Sequence, residues 1–122
     1  MKEILIVEDE TRLAAFLQKG FRKNGYTTTV AEDGEQAIKI ALNKQFDLML
    51  LDIGLPIKDG FTVLQELRTQ GRKFPIIVIT ARSDDEDKTK AFGCGASDYM
   101  KKPFRFQDLL ASVQQHLILV KS

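Results

Sequence analysis

The scarcity of several residue types limits what this chain can be. Its 122 residues include one cysteine, Cys94, one histidine, His116, three prolines and no tryptophan. A single cysteine cannot form an intramolecular disulfide, and it fits a reducing compartment. The N-terminal segment MKEILIVEDE turns acidic after four apolar residues, so we expect neither a signal peptide nor a membrane span. These absences predict a cytoplasmic protein that does not bind a membrane.

The chain also lacks an excess of either charge. It has 18 basic and 17 acidic side chains, which gives a formal net charge of +1. That balance provides no basic field, so we expect no direct binding of nucleic acid. Hydrophobic residues make up 43% and charged residues 29%, as in ordinary globular domains. We expect residues 1–122 to form one domain, with no effector domain in this chain.

Apolar runs typical of strands alternate with amphipathic stretches typical of helices along the whole chain. The five predicted strands are Ile4–Val7, Thr27–Ala31, Asp47–Leu51, Ile76–Thr80 and Tyr99–Lys101. Three of them are nearly continuous in Ile, Leu and Val, as in parallel strands covered on both faces. A strand–helix pair that recurs five times predicts an α/β fold built on a doubly wound parallel sheet.

Local signals mark the ends of the predicted helices. The first helix should end at Asn24, which a glycine follows. Asp33 stands three residues before Gln36, a spacing typical of a capped helix start, and predicts where the second helix begins. Ser83 and Glu86 form the same kind of pattern before the fourth helix.

Polar residues stand at the ends of four predicted strands, where open α/β sheets bind their ligands. Glu8 and Asp9 follow the first strand, and Asp52 follows the third. Two bare carboxylates about 4 Å apart repel by roughly 4 kcal/mol at an effective dielectric of about 20, so a cation should neutralise the cluster. Oxygen ligands without His or Cys indicate Mg²⁺. Asp9 could instead cap the first helix.

The same strand ends supply the groups of a phosphoryl-transfer site. An aspartate beside Mg²⁺ can act as a nucleophile toward phosphorus, and Asp52 follows a buried strand in a suitable place. The Thr80 hydroxyl and the Lys102 ammonium can neutralise phosphoryl oxygens. Taken alone, Thr80 is ordinary in a strand and Lys102 is ordinary on a surface. The Lys102-Pro103 bond is a candidate cis peptide, which would aim this lysine inward.

These residues lie in segments that closely resemble the receiver domain of bacterial two-component response regulators. The matching segments are ILIVEDE, LLDIGLPIKDG, PIIVITA and GASDYMKKPF. The DIGLPIKDG and KPF segments are similar to those of receivers from the winged-helix transcription-factor subfamily. The resemblance implies a flavodoxin-like five-stranded sheet of order 2-1-3-4-5 with five helices.

The resemblance also implies a role for each residue of the site. The Mg²⁺ ligands would be Glu8, Asp9, Asp52 and the backbone carbonyl of Gly54. Asp52 would accept the phosphoryl group from the phosphohistidine of a sensor histidine kinase or phosphotransfer protein. Thr80 and Tyr99 would form the switch, and Lys102, rather than Lys101, would bind the phosphate because it directly precedes the proline. Such a domain is a signalling phosphoacceptor rather than an enzyme, although it catalyses its own phosphorylation and dephosphorylation.

Two surfaces are implied as contact sites for partners. Phe16 falls off the apolar stripe of the first helix and, with Phe104, would form the patch where the kinase docks. An exposed Phe is also common on surfaces without a partner. The face formed by the fourth helix, fifth strand and fifth helix would change on phosphorylation.

That second face would control an output domain or partner and thereby transcription, either from a stand-alone receiver or within a longer regulator. In the subfamily it also mediates a homodimer through charge pairs. Lys88 and Asp108 match one such pair, whereas Asp98 matches half of another whose usual arginine is replaced by Ser112. A dimer through this face should therefore be weak.

Three other readings stay open on the sequence. A haloacid dehalogenase-type phosphatase normally carries a second acid two residues after its nucleophile, where this chain has Gly54. An FMN carrier of similar fold needs a hydroxyl-rich phosphate loop, whereas the acids after the first strand would repel a phosphate. A receiver-like module that is never phosphorylated would not need the complete set of Asp52, Thr80 and Lys102.

Overall fold

The computed structural model of the chain describes residues 1–82 and 84–121, along which strands and helices alternate. The strands are β1 (Glu3–Val7), β2 (Thr27–Ala31), β3 (Leu48–Leu51), β4 (Ile76–Thr80) and β5 (Asp98–Lys101). The helices are α1 (Thr11–Lys23), α2 (Gly34–Asn43), α3 (Gly60–Thr69), α4 (Asp85–Gly93) and α5 (Phe106–Lys121). The predicted β1, β3 and β5 each differ from these bounds by one residue, a normal uncertainty for the ends of elements.

The five strands form one parallel sheet in the order β2-β1-β3-β4-β5, which confirms the predicted fold. Val7 at the end of β1 pairs with Ala31 of β2 on one side and with Leu51 of β3 on the other. Thr80 at the end of β4 pairs with Lys101 of β5. Because all strands run in one direction, the residues that follow their carboxyl ends are neighbours at one edge of the sheet.

Helices cover both faces of the sheet because successive side chains of a strand point to opposite sides. Ile4 and Ile6 of β1 pack in one apolar layer with Phe21 of α1. Leu5 and Val7 pack in a second layer, which contains the buried residues of α2 and α3. The side chains of these four β1 residues are fully buried. The central strands are therefore fixed from both sides, and so are the loops that leave them.

The helix ends follow the predicted signals where the structure describes them. Asn24 is the C-terminal cap of α1. Asp33 caps α2, and its Oδ1 accepts a 2.7 Å hydrogen bond from the backbone N–H of Gln36. The predicted capping pair of α4 involves Ser83, which lies outside the described residues. Within the described ranges, no helix combines the length and the apolar content needed to cross a bilayer.

Candidate functional site

Asp52 directly follows β3, and the backbone holds it at the edge of the sheet. Its N–H donates to the carbonyl of Val7 over 3.0 Å, which continues the β1–β3 ladder by one residue. The residue is only 7% exposed. Its Oδ1 accepts a 3.1 Å hydrogen bond from the backbone N–H of Gly54. One carboxylate oxygen is thus oriented by the loop, and the other is directed toward a cation.

That cation is the ammonium group of Lys102. The backbone N–H of Lys102 donates to the carbonyl of Thr80 over 2.8 Å, and the bond to Pro103 is cis, as predicted. Its Nζ lies 2.8 Å from Glu8 Oε1, 2.8 Å from Glu10 Oε2 and 3.1 Å from Asp52 Oδ2. The structure therefore brings Lys102 and Asp52 together, whereas Lys101 is exposed at the end of β5.

The acids that surround Lys102 after β1 are Glu8 and Glu10. Glu8 and Asp9 are the metal ligands expected after β1, but the Asp9 side chain is exposed and lies outside the carboxylate cluster, although it lines the same cavity. The backbone at Glu10 is extended, with φ −76° and ψ 103°. Side chains two residues apart lie on the same side of an extended segment. Applied beyond the end of β1, this alternation would have indicated Glu10.

Burial and charge shift the proton affinity of the central groups. Burial raises the pKa of Glu8 to about 7, although the hydrogen bonds from Lys102 and from the backbone N–H of Glu10 oppose the rise. Burial alone would lower the pKa of Lys102, but its three carboxylate partners raise it above its ordinary value. Lys102 therefore favours its charged form, and the three acids around it outnumber it.

The donor set of this cluster fits Mg²⁺. Oxygens of Glu8, Glu10 and Asp52 lie within 4.8 Å of one another. Two of these three residues are buried, and all of the ligand atoms are carboxylate oxygens. Mg²⁺ prefers hard oxygen ligands and is commonly held by one or two carboxylates with water and phosphate oxygens. The acidic pocket could therefore bind this ion without any nitrogen or sulfur ligand.

The predicted switch residues Thr80 and Tyr99 both contact the backbone of Arg82. Thr80 is 2% exposed, and its Oγ1 accepts a 3.2 Å hydrogen bond from the N–H of Arg82. The Tyr99 hydroxyl donates to the carbonyl of the same residue over 2.6 Å. No side-chain pattern in the sequence points to Arg82, because it makes these contacts through its backbone N–H and its backbone carbonyl.

A cavity of about 810 Å³ opens at this edge of the sheet. Asp52, Thr80 and Lys102 line its polar part, and Phe16 and Phe104 line its apolar part. Phe16 is 54% exposed, as expected from its position on α1. Its ring also meets that of Phe106 edge-on, with centroids 5.9 Å apart. The predicted docking residues thus lie beside the predicted phosphoacceptor.

The face formed by α4, β5 and α5 contains a separate polar cluster around Asp98. Its Oδ2 accepts a 2.7 Å hydrogen bond from the Ser112 hydroxyl and lies 3.2 Å from His116 Nε2. Burial by itself raises the pKa of Asp98, but these contacts and the N–H of Tyr99 lower it below its ordinary value. Ser112, which stands where the resemblance implied an arginine for a partner molecule, thus binds Asp98 within the chain.

Most of the chain matches a protein-family model. The family model described as the response regulator receiver domain matches residues 4–114. The chain belongs to this family. Membership confirms the fold and the receiver function predicted from the sequence, and it disfavours the phosphatase alternative.

Known receivers and regulators resemble this receiver domain over nearly its whole length. The transcriptional regulatory protein PcoR of Escherichia coli is 38% identical over 122 residues, which is 100% of this chain and 54% of that protein. The receiver domain of Francisella response regulator 1452 superposes with a TM-score of 0.94 at 30% identity, covering 98% of this chain and 99% of that one.

A third match was solved with ligands. The response regulator TrrA of Thermotoga maritima, in complex with Mg²⁺ and BeF, has a TM-score of 0.86 at 33% identity and covers 95% of this chain and 99% of that one. The receiver domain spans about half the length of the transcriptional regulators that it matches. These relatives agree with the predicted transcription-factor subfamily.

Proposed function

We propose that this receiver domain takes up one phosphoryl group on Asp52 from the phosphohistidine of a sensor kinase or phosphotransfer protein. One observation carries the proposal. The Asp52 carboxylate, itself buried, lines the same cavity as the Thr80 hydroxyl and lies 3.1 Å from the Lys102 ammonium. A nucleophile with a hydroxyl donor and a cation on the same cavity wall is the set that phosphoryl transfer requires.

In the proposed step an Asp52 carboxylate oxygen attacks the phosphorus of the donor. The new O–P bond gives an acyl phosphate, while the N–P bond of the phosphohistidine breaks and the imidazole keeps the electron pair. Lys102 and Thr80 stabilise charge on the phosphoryl oxygens as the bond order moves from nitrogen to oxygen. Attack of water on the acyl phosphate later restores the Asp52 carboxylate and releases inorganic phosphate.

The carboxylates at this edge would hold the magnesium ion. Glu8 and Asp52 are common to the predicted ligand set and to the cluster in the structure, and they would be its main carboxylate ligands, whereas Glu10 lies beside them as an exposed partner of Lys102. Asp9 and the carbonyl of Gly54 remain predicted ligands. When bound, Mg²⁺ would supply positive charge that neutralises the acids and the phosphoryl oxygens. The neighbour TrrA, solved with Mg²⁺ and BeF, supports this assignment.

Thr80 and Tyr99 would carry the signal from Asp52 to the face formed by α4, β5 and α5. Both bind the same peptide segment at Arg82. A phosphoryl group on Asp52 would attract the Thr80 hydroxyl and thereby free the Arg82 N–H. The loop that holds the carbonyl acceptor of Tyr99 would then move, and the ring with it. A local charge change would thus bias a two-state element.

The partners would meet two different surfaces of the domain. The donor protein would dock on the apolar end of the cavity, at Phe16 and Phe104. The relatives named as transcriptional regulators support a role of the second face in control of transcription by an output domain. That face would also support a weak homodimer. The cytoplasmic location likewise remains a prediction.

The test is phosphorylation by a small donor. Wild-type protein with acetyl phosphate and Mg²⁺ should gain the mass of one phosphoryl group, and the Asp52→Asn variant should gain none. The matched variant Asp59→Asn, at the exposed start of α3, should label like the wild type. Equal labelling of Asp52→Asn and wild type would show that Asp52 is not the acceptor, and no labelling of the wild type would contradict the proposed function.

A further inference from the structure

Glu10 accepts one of the three hydrogen bonds that the Lys102 ammonium can donate. A lysine ammonium group has three N–H donors and no acceptor. The Nζ of Lys102 has three carboxylate partners, in Glu8, Glu10 and Asp52, at 2.8 to 3.1 Å. In this arrangement no donor of Lys102 is left for a phosphoryl oxygen. One of the three contacts must therefore break before the lysine can bind a phosphoryl group.

The contact with Glu10 is the one that can break most easily. Glu8 and Asp52 are buried, with side-chain exposures of 0% and 10%, whereas the side chain of Glu10 is 62% exposed. An exposed carboxylate that leaves an ion pair is hydrated at once, so such pairs contribute little net free energy. A buried carboxylate that lost the lysine would keep an uncompensated charge.

The charge of Glu10 also acts directly on the substrate. Its carboxylate lies at the cavity that contains Asp52 and contributes one of three oxygens within 4.8 Å of one another. A phosphoryl donor brings further negative charge into this cavity. Glu10 therefore opposes the approach of the donor in two ways, because it repels the phosphoryl oxygens and it retains a donor hydrogen of Lys102.

We propose that Glu10 is a positioning residue that restrains Lys102 and slows phosphorylation of Asp52 until its side chain turns away into solvent. This inference rests on the proposed function. The direction of the rate change in a neutral variant distinguishes this role from the alternative that Glu10 is chiefly a ligand of the metal ion. A restraining acid makes the neutral variant faster, whereas a metal ligand makes the neutral variant slower and weakens Mg²⁺ binding.

The test uses Glu10→Gln, which removes the charge and keeps the size of the side chain. Glu10 is the residue before α1 but makes no side-chain capping bond, so the substitution should not disturb that helix. The matched control is Glu35→Gln, the same charge change at an exposed residue of α2. The measured quantity is the rate at which acetyl phosphate phosphorylates Asp52 at saturating Mg²⁺. In this reaction Asp52 bonds to phosphorus, and acetate leaves with the electron pair of the broken P–O bond.

We expect Glu10→Gln to be phosphorylated roughly two- to fivefold faster than wild type, the effect of one exposed charge. Glu35→Gln should match the wild type. The difference should shrink in about 1 M salt, where the screening length falls to about 3 Å, and a purely structural effect would not respond in this way. Mg²⁺ affinity, followed by backbone amide shifts, should change by less than about threefold.

Three outcomes would overturn the proposal. A variant rate equal to or below that of wild type, in a wild type that does become phosphorylated, contradicts the restraint by Glu10 alone. A tenfold loss of Mg²⁺ affinity assigns Glu10 to the metal instead. If wild-type protein gains no phosphoryl group, the proposed function fails first, and the role of Glu10 fails with it.

Discussion

The acidic edge of the sheet is more tightly packed than α4 and β5, which form a face of the domain together with the better buried α5. Every residue of β3 is buried, and Glu8 and Asp52 at the edge are 1% and 7% exposed. By contrast, no residue of β5 is fully buried, and Ala91 is the one buried residue of α4. Groups that perform chemistry need fixed positions, whereas a surface that has to rearrange needs few contacts to break. The rigid part of the domain therefore lies at Asp52, the proposed phosphoacceptor, and the less tightly packed part lies at α4 and β5, in the proposed output face.

The largest expected contrast concerns stability. Leu50→Ala would remove a fully buried side chain of β3 and should cost about 2–5 kcal/mol of unfolding free energy. Phe92→Ala removes a larger side chain, but Phe92 is 43% exposed on α4, and the cost should stay below about 1 kcal/mol. Chemical denaturation of both variants measures the difference. Equal losses would mean that the two regions are packed alike.

A second contrast separates the two adjacent lysines. Lys102→Ala leaves two buried carboxylates without their cation and should cost about 1–3 kcal/mol at pH 8 without metal. Lys101→Ala, at an exposed position, should stay within about 0.5 kcal/mol of wild type. Mg²⁺ should restore part of the stability of Lys102→Ala, and EDTA should remove it again. Equal effects of the two substitutions would mean that Lys102 does not neutralise the cluster.

The two regions should also respond to pH with opposite signs. The pKa of Glu8 is raised from 4.5 to about 7 in the folded protein, so the folded state binds the extra proton. Glu8 thereby adds at most about 3 kcal/mol to the free energy of unfolding. This stabilisation is fully present below about pH 4.5 and is lost as the pH rises through about 7. The pKa of Asp98 is lowered from 3.8, so its contribution is present above that pH and is lost on further acidification.

Unfolding measured without metal from pH 3 to pH 8 should reveal both effects. Glu8→Gln should flatten the decline between about pH 4.5 and 7 and leave the acid limb unchanged. Asp98→Asn should flatten the acid limb alone. If the stability of Glu8→Gln still declined between about pH 4.5 and 7, the decline would belong to another titrating group.

The smallest expected effect is on self-association. Lys88 and Asp108 are both exposed, and one exposed pair contributes no more than about 1 kcal/mol. Ser112 binds Asp98 within the chain, so we expect no second intermolecular charge pair, between Asp98 and an arginine, to add to this stabilisation. Sedimentation with beryllofluoride, a mimic of the acyl phosphate, should show a modest shift toward dimer. Asp108→Lys should abolish the shift, and the added exchange Lys88→Asp should restore it.

A tight dimer without beryllofluoride would contradict this account of the face. It would show that another surface of the domain dominates self-association.

Patterns along the chain were sufficient to predict the parallel sheet, and they also indicated that Asp52, Thr80 and Lys102 would lie at one edge of it. Continuous apolar strands gave the parallel sheet, and the residues after their ends had to meet because parallel strands end at one edge. Asp52 and Lys102 are 50 residues apart in the chain but 3.1 Å apart in the fold for this reason. The place of Lys102 before a proline distinguished it from its neighbour.

The remaining features depend on three-dimensional detail that residue types do not encode. Glu8, Asp9 and Glu10 are consecutive acids, and only the local backbone decides which two face the lysine. Arg82 contacts Thr80 and Tyr99 through its backbone N–H and carbonyl, so no side-chain preference marks it. Asp98 matched an intermolecular pair by position, yet Ser112 and His116, about one turn apart on α5, bind it within the chain.

We propose above all that phosphorylation of Asp52 changes the face formed by α4, β5 and α5 by way of the Thr80 hydroxyl. Backbone amide shifts on addition of Mg²⁺ and beryllofluoride test it most directly, in wild type and in Thr80→Val, which removes the hydroxyl and keeps the shape. We predict that the Gly54 amide shifts in both proteins, while the Tyr99 amide shifts in wild type and stays in place in Thr80→Val. A Tyr99 shift of equal size in both proteins would contradict the claim.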